Sequence, residues 1–446
     1  MSSHDPVRTQ IEAAGKAVES DLRQCVLGVE RLTIVQAPPG SGKTYQLTRA
    51  AVSGADGRGR LRVAIACQTN SQADDVARRL AEMGAAAPIV RFASGRASKP
   101  ADLSDAVRWV TSGKDLPHER CIVVSTTAKW SLSDLPDPFD ILFVDEAWQL
   151  AHMDFQVLTR VAGRFVFIGD PGQIPPVVTV PTLRWETSPQ PPHRPAPEVM
   201  RAIPDANPRL LQLPATRRLP FDSARLVRNF YDFDFASYAG PGERALLYGG
   251  RGGDAVDRAL RHLAGASVAL SLLPTPPSGP PMEVDADVVA RCVELAGRAL
   301  RERSTCVLRD GRHDLAPESV GISATHRKMV TAIGLALPPA LRPHIRVDTP
   351  ERWQGLECDL MIVVHPLSGV VQPSEFDLET GRLCVMASRH RCGLVIVSRD
   401  HLATTLERTA PSATQPVGVD DIAGRVHARH VQLLASLTRS NSVFAP

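Results

Sequence analysis

The chain has 446 residues and a formal net charge of +3 at pH 7, with 43% hydrophobic and 22% charged residues. This composition is ordinary for a soluble globular protein, and the small net charge is only a weak hint of a nucleic-acid partner. A single core rarely exceeds about 250–300 residues, so two domains are expected. Charges or prolines interrupt every apolar run and the N-terminus lacks a secretory pattern, so we expect no membrane span and a cytoplasmic location.

The predicted elements of the first half alternate between helices and strands. A helix over residues 6–30 leads into a short buried strand at 32–35, and a second helix begins at Thr44 after a loop rich in glycine and proline. The remaining predicted elements are strands at 61–67, 121–125, 141–144 and 165–168 and a helix at 73–83. Strands that alternate with helices predict a parallel sheet covered on both faces.

The second half repeats this alternation after a connection rich in proline at residues 184–208. Its predicted strands lie at 267–273, 320–324, 345–347, 360–364 and 393–397. The sequence therefore predicts an α/β protein with parallel sheets flanked by helices. Its two domains are predicted at residues 1–205 and 206–446.

The loop after the first strand, residues 37–44, has the sequence APPGSGKT. Glycines let backbone N–H groups curl around phosphate oxygens, a lysine reaches the β and γ phosphates, and a threonine hydroxyl ligates Mg²⁺. A strand before and a helix after form the context that a phosphate loop requires, although Ala37 stands where glycine is usual. The predicted nucleotide-binding residues are Pro39, Gly40, Ser41, Gly42, Lys43 and Thr44.

Two further strands end in polar residues. Residues 141–149, ILFVDEAWQ, place Asp145 beside the Mg²⁺ shell with Thr44, and Glu146 where it polarises the attacking water. Residues 167–176, FIGDPGQIPP, end in a loop whose Gln173 is a candidate sensor of the γ-phosphate.

Together these motifs resemble those of superfamily 1 helicases, on the branch typified by the nonsense-mediated decay helicase. That branch carries Asp-Glu-Ala-x-Gln and Gly-Asp-x-x-Gln-Leu-Pro-Pro, and the resemblance extends from about residue 32 to 399. It implies two tandem RecA-like P-loop domains, ATP and Mg²⁺ as cofactors, and movement 5′ to 3′ on single-stranded DNA or RNA. A monomer is expected, and a protein partner for unwinding or targeting is left open.

The second half carries the expected arginine motifs. Residues 213–220, LPATRRLP, resemble the family's Gln-Tyr-Arg-Met-His-Pro element, which implies that Arg217 contacts the γ-phosphate. Residues 381–391, GRLCVMASRHR, match the last motif and imply that Arg389 is an arginine finger. Arg218 and Arg391 are competitors for these two roles. Residues 354–359, QGLECD, match the Gln-Gly-x-Glu motif and imply nucleotide contacts from Gly355 and Glu357.

Contacts to the base and to nucleic acid are implied by the same resemblance. Thr216 stands where the family has an adenine-stacking tyrosine, so ATP versus GTP is open, and Tyr45 is an alternative stacking ring. Trp130 and Trp353 are possible stacking rings for bases of the strand, and a core or interface position is the favoured alternative for each. The candidate contacts to nucleic acid are Thr69, Asn70, Thr126, Pro176 and Thr349.

Two classes of function fit these motifs. The first is an ATP-hydrolysing motor, and the second is a nucleotide-gated switch or scaffold that binds nucleic acid without processive movement. The motifs grip the sugar–phosphate track in both cases, so DNA versus RNA is open. Eight cysteines without a Cys-x-x-Cys pair and thirteen histidines without ligand spacing predict buried reduced thiols and no structural metal beyond Mg²⁺.

Overall fold

A computed structural model describes residues 4–57, 59–178, 180–185, 187–276, 279, 284–409 and 421–446. It divides into two compact units, each described by itself below. The first unit is Pro6–Pro171 with Pro175–Pro214, and the second is Ala215–Pro446 with Gly172–Ile174 and Met1–Asp5. The division falls at residue 214 and not at the predicted 205, because the strand Arg209–Gln212 is hydrogen-bonded into the sheet of the first unit.

The first unit contains one large sheet with helices between its strands. Its elements in chain order are α1 Asp5–Leu27, β1 Leu32–Gln36, α2 Lys43–Asp56, β2 Arg62–Cys67, α3 Asn70–Glu82, β3 Ile89–Phe92, β4 Val107–Val110, β5 Cys121–Thr126, α4 Thr127–Leu132, β6 Ile141–Val144, α5 His152–Leu158, β7 Phe165–Gly169, α6 Ala196–Ala202 and β8 Arg209–Gln212. The eight strands are parallel and follow the order β4-β3-β5-β2-β6-β7-β1-β8. One strand, β7, therefore separates the strand before the phosphate loop from the strand that ends in two acids.

The central strands of this sheet are apolar along their whole length. All six residues of β2 and all four of β6 are buried, as expected when helices cover both faces of a parallel sheet. Alternate residues face opposite cores: Ile65 belongs to one buried cluster, while Ala64 and Ala66 belong to the other. This rigid sheet fixes the loops at its strand ends.

The second unit contains another large sheet and a small one. Its elements in chain order are β9 Ala215–Thr216, α7 Phe221–Val227, β10 Ala236–Ser237, β11 Ala245–Leu247, α8 Ala255–Ala266, β12 Val268–Leu273, α9 Ala286–Arg301, β13 Thr305–Leu308, β14 Gly311–Asp314, β15 Val320–Ser323, α10 Arg327–Ala336, β16 Arg346–Asp348, α11 Pro350–Trp353, β17 Cys358–Val364, α12 Glu375–Leu378, α13 Thr380–Ala387, β18 His390–Arg399, α14 Leu402–Arg408, α15 Ile422–Arg439 and β19 Val443–Phe444. The six strands of the large sheet are parallel, in the order β16-β15-β17-β18-β12-β19. Strands β11, β13 and β14 form a small antiparallel sheet, and β9 pairs with β10.

The α/β class with two parallel sheets flanked by helices is thus confirmed. The antiparallel hairpin of β13 and β14 was not predicted, because β14 is the exposed polar sequence GRHD with no apolar alternation. Within the described residues, no helix combines the length and the apolar character needed to cross a membrane.

Candidate nucleotide site and arginine cluster

The phosphate loop has the backbone geometry that its glycines permit. It connects the end of β1 to the start of α2, and Gly40 and Gly42 have φ of 68° and 89°, in the left-handed region that glycine enters without steric cost. Gly42 is the N-cap of α2 and brings no side chain to cap the helix, so the first N–H groups are available to an anion. The Ser41 hydroxyl oxygen is buried without a hydrogen-bond partner. These features fit a bound phosphate group.

The lysine of the loop is paired with one of the two acids after β6. Lys43 Nζ lies 2.9 and 3.0 Å from the two carboxylate oxygens of Glu146. Glu146 has φ of 50°, an uncommon value for a residue with a side chain, and its backbone N–H donates to Asp145 Oδ1 at 3.0 Å. The phosphate loop and the acid strand are therefore joined through side chains that are distant in sequence.

Asp145 is the more buried of the two acids, with 4% of its surface exposed. Burial, followed by the negative charge of Glu146, raises the pKa of its carboxyl to about 7, and Lys43 opposes the shift. A cation beside this carboxylate would favour its ionised form. Carboxylate and hydroxyl oxygens are the ligands that Mg²⁺ prefers, so Asp145 and Thr44 fit as its donors.

Several predicted nucleic-acid contacts share one edge of the first sheet with these residues. Thr69 and Asn70 follow β2, and Thr126 ends β5, so all three lie at carboxyl ends of parallel strands. Both threonines cap helices: Thr69 accepts from Gln72 N in a capping box at α3, and Thr126 accepts from the first turn of α4. Asn70 Oδ1 accepts from Arg91, a buried arginine that the sequence analysis did not single out. The structure thus brings these three candidates to one sheet edge.

In the second unit, the two competitor arginines are held in ion pairs. Arg218 Nε lies 2.9 Å from Glu357 Oε2, and its Nη1 donates to the Ser388 carbonyl at 3.2 Å. Arg391 contacts Asp359 at 2.8 Å and Glu357 at 3.7 Å. These contacts join three motifs that are far apart in the chain, and they give both competitor arginines a structural partner.

Arg217 and Arg389 have different surroundings. Arg217 is exposed, with its guanidinium 4.6 Å from the ring centre of Tyr238 and its carbonyl accepting from Arg244 at 2.9 Å. Arg389 is buried, and its Nε donates to the Val385 carbonyl at 3.0 Å in the last turn of α13. Tyr238 was not predicted, because nothing in its local sequence marks an aromatic support for an arginine.

The remaining predicted site residues lie in loops and at helix starts. Gln173 belongs to the second unit, and a Cβ atom at Gly381 would lie 2.6 Å from its carbonyl oxygen, so glycine is required at 381. Gly355 has a left-handed φ of 79° just before β17. Thr349 is the N-cap of α11, and Pro176 is half-buried. Tyr45 is 50% exposed and its hydroxyl accepts from Arg49 at 2.7 Å.

Trp130 and Trp353 are core residues, so the structure bears out the favoured alternative and excludes stacking on bases. Trp130 is fully buried between Phe92 and Phe139, and its Nε1 donates to the Ile65 carbonyl at 3.0 Å. Trp353 is 2% exposed, and its Nε1 donates to the Ile322 carbonyl at 3.3 Å. Both indoles satisfy their N–H inside the protein and present no face to a base.

Comparison with known proteins agrees with this site. Residues 19–201, which hold the phosphate loop, both acids and Gln173, match a family model described as an AAA domain, over less than half of the chain. This match is consistent with the resemblance to superfamily 1 helicases that the sequence predicts for this stretch. A comparison with curated proteins found no match.

Among solved structures, the chain is similar to helicases of arteriviruses. The crystal structure of arterivirus nonstructural protein 10 (helicase) is 14% identical, with a TM-score of 0.44 over 86% of this chain and 61% of that chain. The complex of that helicase with DNA is 14% identical, with a TM-score of 0.42 over 86% of this chain and 62% of that chain. The PRRSV helicase is 13% identical, with a TM-score of 0.40 over 86% of this chain and 55% of that chain. The chain thus spans less than two thirds of these proteins, and the function proposed below does not depend on the likeness.

Proposed function

We propose that this chain is an ATP-dependent helicase or translocase that couples ATP hydrolysis to movement on single-stranded DNA or RNA, in the 5′ to 3′ direction. The observation that carries the proposal is the Lys43–Glu146 ion pair, because it joins the phosphate loop to the acid that would activate water. A nucleotide-binding fold without hydrolysis has no need of this acid at the end of β6.

The Lys43–Glu146 ion pair suggests a first step for the proposed reaction. The phosphates of ATP attract Lys43, and the lysine leaves Glu146 to bind the β and γ oxygens. Glu146 is then free to orient a water molecule and to accept its proton during attack on the γ-phosphate. The strained backbone of Glu146 holds this carboxylate in place. Mg²⁺, when bound by Asp145 and Thr44, neutralises charge on the phosphate oxygens.

Arginines of the second unit complete the proposed mechanism. Arg217 and Arg389 stabilise the charge that develops on the γ-phosphate, and Gln173 senses its presence. Gly355 and Glu357 contribute contacts to the nucleotide. Because these groups belong to the unit that lacks the phosphate loop, the proposed hydrolysis needs residues of both units, and this dependence would couple hydrolysis to movement.

We assign the nucleic-acid track to hydroxyl, amide and backbone groups. Thr69, Asn70 and Thr126 lie at helix starts, where backbone N–H groups favour phosphate, and Pro176 and Thr349 extend the track. The proposal includes a monomeric protein that acts in the cytoplasm, either alone or with a partner protein for unwinding or targeting.

The direct test is the ATPase rate of the purified full chain, with and without single-stranded oligonucleotides. Lys43→Ala is expected to reduce stimulated hydrolysis by about 10²–10³-fold, the cost of losing one preorganised charge-stabilising group. Lys114→Ala is the matched control, because this lysine is exposed on the same unit. Glu146→Gln should abolish hydrolysis while ATP binding persists. Equal rates in Lys43→Ala and Lys114→Ala would refute the nucleotide chemistry.

A stepping assay separates the motor from the second candidate, a nucleotide-gated switch. The burial of Trp130 and Trp353 favours the switch, because two rings that would push on bases are absent from the track. Displacement of streptavidin from a biotinylated strand end supports the motor, and tight stationary binding supports the switch. Blocks at either end give the direction. Hydrolysis rates with matched DNA and RNA oligonucleotides, each measured with ATP and with GTP, identify the preferred nucleic acid and the preferred nucleotide.

A further inference from the structure

Four side chains with metal-binding atoms meet in the second unit, outside the proposed nucleotide site. The Sγ atoms of Cys306 and Cys392 and a carboxylate oxygen of Asp359 all lie within 4.8 Å of one another, and all three residues are buried. His313 adds a fourth atom, because its Nε2 lies 2.9 Å from Asp359 Oδ2. Cys392 Sγ lies 3.9 Å from Asp359 Oδ1.

The fold explains how residues so far apart in the chain come together. Cys306 and His313 are direct cross-strand partners in the hairpin of β13 and β14. Asp359 lies on β17 where its register with β18 shifts, and Cys392 lies on β18. The cluster therefore stands where the small antiparallel sheet meets the large parallel one.

We propose that Cys306, Cys392, Asp359 and His313 bind a zinc ion. Two thiolates, an imidazole and a carboxylate form a donor set that zinc accepts in a tetrahedron, with bonds of about 2.0–2.3 Å. Neighbouring ligand atoms in such a tetrahedron lie about 3.4–3.8 Å apart. The Cys392–Asp359 distance of 3.9 Å and the 4.8 Å limit among the three buried residues are close to the required geometry. His313 is 2.9 Å from Asp359 but is not one of the three residues within that limit, so its half-exposed side chain must rotate to supply the fourth ligand.

Charge balance also fits a divalent cation. Zinc binding releases one proton from each thiol, so two thiolates and one carboxylate carry three negative charges against two positive ones. Arg391 contacts Asp359 Oδ1 at 2.8 Å and offsets the remaining charge. A zinc-bound carboxylate held by an arginine is an ordinary outer contact of such sites, where hydrogen bonds to ligands fix their orientation.

Access and position give the site a structural role. The His313 side chain is 43% exposed, so an ion can reach the buried thiols past it. Bound zinc would fasten the β13–β14 hairpin to β17 and β18, the strands that follow Glu357 and Arg389. The metal would then stabilise the unit that carries the arginines, without taking part in hydrolysis.

The test is metal binding by the reduced full chain after a chelator and gel filtration. One equivalent of zinc per chain is expected on elemental analysis. Cobalt(II) in its place should give a thiolate-to-metal charge-transfer band and the intense visible bands of tetrahedral cobalt. Since the proposed Mg²⁺ site has no thiol, this band reports the cysteine site alone.

Variants assign the ligands. Cys306→Ser and Cys392→Ser should abolish the charge-transfer band, and His313→Ala should weaken zinc affinity by at least about 10-fold. Cys292→Ser is the matched control, because this buried cysteine on α9 lies outside the cluster and should keep full binding. His313→Ala alters a half-exposed side chain, so it remains informative if a cysteine variant does not fold.

Two outcomes would overturn the proposal. The first is a reduced wild-type chain that binds no zinc above the level of the Cys306→Ser variant. The second is a chain isolated without reductant that carries no metal and has lost two thiols, with its mass reduced by two hydrogens. That result would identify Cys306 and Cys392 as a disulfide pair instead.

Discussion

The phosphate loop and acids of the first unit lie at the opposite ends of their strands from Glu357 and Arg389 of the second unit. In the first unit, the phosphate loop and both acids follow the carboxyl ends of β1 and β6, where α2 presents its N-terminus. In the second unit, Glu357 and Arg389 precede the amino ends of β17 and β18, next to the C-terminus of α13. Helix N-termini attract anions, and helix C-termini attract cations.

This difference explains why one unit offers backbone groups and the other offers side chains. Two carbonyls at the C-terminal end of α13 accept from arginines, Val385 from Arg389 and Ser388 from Arg218. The helix that orients these cations has no N–H groups to offer a phosphate at that end. In the proposed mechanism, the second unit therefore contacts an anionic substrate through guanidinium groups, and each of these is held by a carbonyl, a carboxylate or an aromatic ring.

The largest effect that we expect comes from substituting Arg389, the proposed arginine finger. Arg389→Lys keeps a charge near the α13 carbonyls and loses the planar guanidinium, so single-turnover ATP hydrolysis should fall by about 10³-fold or more. Arg391→Lys is the control, because its arginine pairs with Asp359 and Glu357. Melting temperatures of both variants check folding. A larger loss of hydrolysis rate in Arg391→Lys than in Arg389→Lys would indicate that Arg391 is the arginine finger.

The two units should also differ in their response to acid. Burial, followed by the positive charges of Arg218 and Arg244, lowers the pKa of His390 to about 3, and burial lowers the pKa of His430 to about 4. An unfolded histidine has a pKa of about 6.5, so only the unfolded chain binds these protons between the two values. The free energy of unfolding should therefore fall below about pH 6.5, by up to about 1.4 kcal/mol per pH unit for each histidine.

Hydrogen exchange at pH 5 and pH 7 measures this difference unit by unit. Peptides of β18 should lose more protection at pH 5 than peptides of β5 in the first unit. His390→Gln should make the pH dependence less steep, and His118→Gln is the control at an exposed site. Equal losses of protection in β5 and β18 would contradict the expectation.

The smallest effect that we expect is a loss of stability in a matched pair of substitutions, one in the core of each unit. Trp130→Phe and Trp353→Phe each remove one hydrogen bond to a carbonyl, Ile65 in the first unit and Ile322 in the second. Loss of one such hydrogen bond costs about 0.5–1.5 kcal/mol of unfolding free energy, measured by denaturant titration. Affinity for a single-stranded oligonucleotide should stay unchanged. A loss of oligonucleotide affinity in only one variant would indicate that its tryptophan does contact nucleic acid.

The sequence predicted the placement of the candidate residues of the first unit well, because each one adjoins a strand of recognisable apolar character. Asp145 and Glu146 directly follow β6, and Lys43 begins α2, so motif and element coincide. The predicted boundary at 205 missed β8, since only one of its four residues is buried and its local pattern is weak. The possibility of stacking by tryptophan came from residue type alone, which does not distinguish a core ring from a surface ring.

The second unit was harder to predict, because its contacts join distant positions. Neighbouring arginines at 217 and 218 look equivalent in sequence, and only the fold shows that Arg218 pairs with Glu357 while Arg217 lies on Tyr238. The proposed zinc ligands at 306, 313, 359 and 392 follow no short metal-binding spacing, so the sequence predicted no structural metal. Their proximity depends on the register of a hairpin that was itself unpredicted.

The pairing of β1 with β8 has a consequence for how the chain is made on a ribosome. Residues 33–36 are hydrogen-bonded to residues 209–212, so the edge of the first sheet stays open until about two hundred residues have been synthesised. Pairing over such a separation in sequence is slow, and it leaves the apolar strand before the phosphate loop exposed on the nascent chain. The emergence of β8 from the ribosome therefore completes the sheet that carries the phosphate loop.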